Sequence, residues 1–165
     1  MEYNELKPES CTFCAELIGI LENSNYGRLT GQIKKGRILW QNNEFALIPS
    51  LGPLIEDHLL LIPTYHTFSF ADLSESVLSR ADHLIMSLAN FFLKQGHQII
   101  IFEHGAKILN GSDYEKRLKR AICGACTDHA HFHLLPNISS HHVILEMESR
   151  GLHVAARNHK RPDSQ

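Results

Sequence analysis

Apolar residues recur at steps of three and four between positions 74 and 96. Val77, Leu78, Ala81, Leu84, Ile85, Leu88, Phe91 and Phe92 fall on one side of a helix. Ser74 is placed to cap its start and Gly96 to close its end. Elsewhere the pattern is that of strands. Residues 37–41 and 44–49 flank Asn42-Asn43, a tight-turn dipeptide, and are expected to form a hairpin. Leu59–Pro63 is apolar on both faces, which predicts a central strand. Residues 97–103, with Ile99-Ile100-Ile101-Phe102, and residues 129–135 supply two more buried strands. Residues 11–21 read as a short helix entered through a Cys-x-x-Cys turn, residues 23–27 as a loop, and residues 106–124 as a long connection. The elements do not alternate strand and helix. They predict an α+β fold: a mainly antiparallel sheet of about five strands with one long and one short helix. A polar lead (1–10) precedes this domain (11–136), and a C-terminal extension (137–165) ends in a basic, mobile tail.

Composition narrows the function classes. The chain has 165 residues, 43% hydrophobic and 21% charged, an ordinary globular make-up for a single core. A net charge of −2 gives no bulk electrostatic case for nucleic-acid or membrane partners. No apolar run approaches the ~18 residues of a membrane span. The N-terminus lacks the basic and apolar regions of an export signal, so a cytoplasmic setting with reduced thiols is expected. Two counts stand apart. There are 12 histidines, and the 4 cysteines form two Cys-x-x-Cys pairs, Cys11/Cys14 and Cys123/Cys126. In a reducing compartment such pairs point to metal or redox chemistry before disulfides.

The histidines concentrate in His129-Ala130-His131-Phe132-His133-Leu134-Leu135-Pro136. Alternation along a strand puts His129, His131 and His133 on one face, roughly 7 Å apart, and turns Ala130, Phe132 and Leu134 to the core. Neutral imidazole is a nucleophile, a metal ligand and a hydrogen-bond donor. A plain polar strand face usually mixes Thr, Lys, Glu and Ser, so three histidines at period two ask for a specific role; a three-histidine metal site is one alternative.

His-Ala-His-Phe-His-Leu-Leu resembles the His-φ-His-φ-His-φ-φ signature (φ, hydrophobic) of the histidine triad family. Asp57-His58-Leu59-Leu60-Leu61-Ile62-Pro63-Thr64-Tyr65-His66 is similar to that family's Gly-His-x-Leu-Val-Ile-Pro-Lys-x-His segment. Cys11-Thr12-Phe13-Cys14 resembles the N-terminal Cys-x-x-Cys of its zinc-containing members. Phe102-Glu103-His104-Gly105 stands where many members carry Asn-x-Gly. The resemblance covers about residues 11–136 and implies the histidine triad fold. It also implies a homodimer and a nucleotidyl hydrolase or transferase acting on a nucleoside monophosphate derivative. His131 would be the nucleophile that takes up the nucleotidyl group, and His133 would hold phosphate oxygens. The alternative is a nucleotide-binding or sensor module with vestigial catalysis.

The same resemblance assigns Cys11, Cys14, His66 and His129 to one structural zinc ion, a closed four-ligand site. An all-cysteine site is the rival, but more than a hundred residues separate the two pairs, against ~15–20 in ribbon-type sites. A redox pair at Cys123/Cys126 lacks a thioredoxin-like βαβ setting; two small buried or loop residues is the plain alternative. Relatives often place Ser or Thr just before the triad as a phosphate donor. Here Thr127 falls on the triad face and is preferred to Cys126. His104 is a candidate for phosphate or ribose contact, or a solvated strand-end histidine. Glu103 would orient a neighbour or be exposed. His58 reads as a surface-strand residue, His83 as solvated, and His141 and His142 as loop residues. The run Glu115 to Arg120 reads as a solvated face or a basic lid, and Arg157, Lys160 and Arg161 as a mobile tail or a contact with a partner subunit.

Overall fold

A computed structural model describes residues 11–104 and 129–151. Five strands form one sheet: β1 (Trp40–Gln41), β2 (Phe45–Pro49), β3 (Leu59–Pro63), β4 (Ile99–His104) and β5 (His131–Pro136), in the order β1-β2-β3-β5-β4 with every pair antiparallel. The hairpin forms around Asn42, whose side-chain oxygen accepts from the amides of Glu44 and Phe45. Its first strand is shorter than predicted. β3 lies in the middle, as its two-sided apolar pattern requires.

Period-two alternation divides the interior into two cores. Phe45, Leu61, Ala130 and Leu134 pack on one face against the long helix α3 (Glu75–Lys94), which contributes Val77, Leu78, Ala81, Leu84, Ile85 and Leu88. Ala46, Ile48, Leu60 and Ile62 pack on the other face with Phe13 of the short helix α1 (Thr12–Leu17). Ser74 caps α3 by accepting from the Val77 amide, and Gly96 follows its end in the left-handed conformation, φ 84°. Phe91, expected on the buried face, is exposed.

Two helices were not legible in the sequence. Residues expected as a loop run into α2 (Asn25–Thr30), capped by Ser24. Gly27, expected in that loop, lies inside this helix, and a Cβ there would collide with the Leu21 carbonyl oxygen, so the close approach of the two backbones requires glycine. His141 and His142, expected in a loop, lie in the first turn of α4 (Ser140–Ser149) and are exposed. His83 is exposed on α3, as expected. No helix among the described residues is long and apolar enough to cross a membrane.

Candidate active site and metal centre

The histidines of β5 emerge on the face of the smaller core, beside α1. Their ring nitrogens have separate tasks, and the fixed partners decide where each proton sits. His131, 5% exposed, places Nδ1 2.8 Å from the carbonyl oxygen of His129. A carbonyl only accepts, so Nδ1 carries the proton and a neutral His131 keeps its lone pair on Nε2. His133 meets His58, which is buried and not the surface-strand residue its sequence position suggests. His58 is 3% exposed and its Nε2 lies 2.8 Å from His133 Nδ1. The Leu54 amide donates to His58 Nδ1 at 3.1 Å. An amide only donates, so a neutral His58 holds its proton on Nε2 and gives it to His133 Nδ1. A neutral His133 then carries its own proton on Nε2. One backbone amide thereby fixes two tautomers in series. The sequence signal was present: His58 has the parity of Leu60, which pairs with His133.

Phe102 of β4 stacks on His133 with ring centroids 4.6 Å apart and planes 8° apart. Glu103 turns the other way and accepts from the Phe70 amide and the Ser69 hydroxyl, both at 2.8 Å. Its carboxylate is therefore not part of the histidine face. The backbone of His104 pairs opposite His131. Thr127, Cys123, Cys126 and the run Glu115 to Arg120 lie outside the described residues, as do Arg157, Lys160 and Arg161.

Burial lowers the pKa of His58 below the ordinary imidazole value. Its protonated form is thus disfavoured in the folded state relative to the unfolded one. The stability this confers is fully present above the unfolded value near ~6.5 and is lost as pH falls below it, where the unfolded chain takes up the proton more readily. Urea midpoints are therefore expected to fall between pH 7.5 and pH 5.5, and a His58→Gln variant should have a shallower slope over that window. Identical slopes would refute the assignment.

The second cluster lies at the entrance to β5. Ala130 donates to the Thr67 carbonyl oxygen at 2.7 Å, which draws the chain at His129 beside His66. Cys11, at the N-cap of α1, and Cys14 approach from the other side. Cys11 Sγ lies 3.4 Å from His129 Nδ1, and Cys14 Sγ lies 3.5 Å from both His129 Nδ1 and His66 Nδ1. The four potential ligand atoms all lie within 4.8 Å of one another. A tetrahedron with Zn–S of about 2.3 Å and Zn–N of about 2.05 Å has S···N edges of about 3.6 Å, so these three edges are compatible with a zinc ion. The protonation states fit too. His129 Nε2 gives its proton to the Pro63 carbonyl oxygen at 3.0 Å, leaving Nδ1 bare toward the thiols. The hydrogen bond to Cys14, with help from His129 and His66, holds the Cys11 thiol far below its usual range against the effect of burial. That same bond, and burial, push Cys14 up. The cluster is a Cys2His2 set compatible with one zinc ion.

Sheet order, helix placement and the histidine row define a protein of the histidine triad fold. Comparison with known proteins agrees. Residues 35–112 match a family model described as "Protein similar to CwfJ C-terminal", a histidine-triad-like family. A zinc-bound histidine triad family protein from Mycobacterium smegmatis is similar in structure, with a TM-score of 0.51 and 17% identity over 81% of this chain and 78% of that one. A hypothetical protein from Leishmania major has a TM-score of 0.52 and 13% identity over 86% of this chain and 93% of that one. No curated protein sequence matches the chain.

Proposed function

We propose that this protein is a nucleotidyl hydrolase or transferase that passes a nucleoside monophosphate group through a covalent bond to His131. The observation that carries the reading is the 2.8 Å hydrogen bond from His131 Nδ1 to the His129 carbonyl, which leaves Nε2 as a lone pair beside His133. Nε2 attacks the α-phosphorus, a P–N bond forms and the bond to the leaving group breaks. The positive charge that develops on the imidazole is held by the carbonyl at Nδ1. His133, with its Nε2 proton fixed through His58, donates to a phosphate oxygen. Water or another acceptor then breaks the P–N bond and releases the nucleotide. His104 and Thr127 are the further candidates for contact with phosphate or ribose.

Zinc at Cys11, Cys14, His66 and His129 belongs to this reading as a structural ion. It would supply a cross-link between α1 and the start of β5, with all four positions closed by protein. A homodimer is also proposed. β4 is the last strand of the sheet, and α3 exposes Met86, Phe91 and Leu93, surface that a second copy would bury. The reduced thiol pair suits a cytoplasmic setting.

The test is to trap the intermediate. The protein is mixed with a panel of adenosine phosphoramidate, diadenosine polyphosphate and a sugar nucleotide, quenched within seconds and digested. An acid-labile nucleotidyl group on the peptide containing His131 is the expected result; an adduct elsewhere overturns the mechanism. One observation favours a second reading, a nucleotide-binding module without turnover: His104 stands in place of the relatives' Asn, and the Glu103 carboxylate beside it is committed to Ser69 and Phe70. Nucleotide binding by calorimetry with no adduct and no product would select it.

A further inference from the structure

Helix α1 has six residues and no side-chain hydrogen bond at its N-cap. A helix of that length does not persist in water on its own. Yet it carries Cys11 at its cap and Cys14 and Phe13 within it, so its placement decides what stands beside the histidine row. Its far end is held by an ion pair. Arg37 Nε donates to Glu16 Oε2 at 2.8 Å and Nη2 donates to Oε1 at 3.0 Å, while Nη1 donates to the Pro49 carbonyl oxygen in β2. The two side chains are 7% and 1% exposed. The guanidinium carbon of Arg37 lies 6.0 Å from the centroid of the Phe13 ring. The Phe13 ring in turn meets the imidazoles of His129 and His131 nearly at right angles, at 5.7 Å and 5.4 Å between centroids. A continuous line of contacts thus runs from the backbone of β2 through Arg37 and Phe13 to His131.

A buried ion pair is a poor device for stability. Apolar residues of similar volume often do as well or better, because they avoid the desolvation of two charges. What apolar residues do not reproduce is the direction imposed by a two-pronged fork whose third donor is tied to a strand. We infer that Arg37 and Glu16 are positioning residues for His131. They fix the rotation of α1 so that Phe13 forms a wall beside the imidazole. That wall keeps Nδ1–H on the His129 carbonyl and the Nε2 lone pair in one direction. The inference rests on the reading of His131 as nucleophile.

The test separates stability from positioning with a double variant, Glu16→Leu with Arg37→Met, which replaces the charges by apolar side chains. It is compared with the wild-type chain and with Arg37→Lys, which keeps the charge and loses the fork. Melting temperature, kcat and KM on an adenosine phosphoramidate, and the ¹⁵N resonances of the His131 ring are measured on each. The double variant is expected to melt within a few degrees of wild type, while kcat falls about 10- to 100-fold at nearly constant KM. The His131 ring nitrogens should move from one tautomer toward an average of two, with Arg37→Lys between. A stable double variant with wild-type kcat and a single tautomer overturns the inference. If the double variant does not fold, Phe13→Leu, which leaves the ion pair in place, decides: the same loss of kcat and the same averaging support the inference, and wild-type values refute it. If the wild-type protein turns over none of the substrates, the nucleophile reading fails, and the ring resonances alone still decide whether Arg37 and Glu16 fix the imidazole.

Discussion

Turnover of a nucleoside phosphoramidate by a His131→Ala variant is expected to fall by about four orders of magnitude or more, the loss typical of a removed nucleophile. Neither of the other two histidines of the row is placed to take over. The lone pair of His129 is aimed at the two thiols, and His133 accepts from His58 on Nδ1 and carries its proton on Nε2. The substitution leaves the His129 carbonyl without its donor, at a cost of about 1–3 kcal/mol. That is less than the 5–15 kcal/mol of an ordinary domain, so the variant should remain folded. Steady-state assays on protein with a wild-type circular dichroism spectrum make the comparison, and undiminished turnover would end the covalent mechanism.

Loss of the metal is the second large effect expected. Wild-type protein purified without chelator should contain one zinc ion per chain by elemental analysis, and a Cys14→Ser variant should contain little. Binding to a closed Cys2His2 set is folding free energy, here on the order of 5 kcal/mol or more. For a chain of this size that corresponds to a fall in melting temperature of about 10–20 °C. The site joins Cys11 and Cys14 to His129, more than a hundred residues later in the chain, so demetallation should release α1 first. Hydrogen exchange should then rise at residues 12–17 before it rises in β3. A Cys14→Ser protein with unchanged zinc and melting temperature would refute the ligand set.

Much of this was legible in the sequence because it is written in short periods. The alternation of β5, the stripe of α3 and the two-sided apolar run of β3 are local patterns that local geometry converts directly into faces. The gathering of Cys11, Cys14, His66 and His129 was anticipated from motif resemblance, and no spacing rule would have found it. Sequence reading failed where meaning depends on a distant partner. His58 looks like a surface residue until the pairing of Leu60 with His133 brings it under the triad. Arg37 and Glu16 look like two ordinary charges, 21 positions apart, until α1 folds back onto β2. Residues 25–27 look like loop until α2 packs against Leu21, whose carbonyl leaves no room for a side chain at Gly27.

The alternation of β3 has a consequence for how this protein can change over time. Leu61 serves the core beneath α3, and its neighbour Leu60 serves the core beneath the histidines. Substitutions that accumulate on the α3 side can be absorbed by repacking that layer alone, since the sheet stands between it and the chemistry. The buried layer beneath α3 can therefore drift without renegotiating the arrangement of His58, His131 and His133, while the outer face of that helix stays tied to the proposed dimer. One strand, read in odd and even positions, lets the two halves of the molecule answer to different selective pressures.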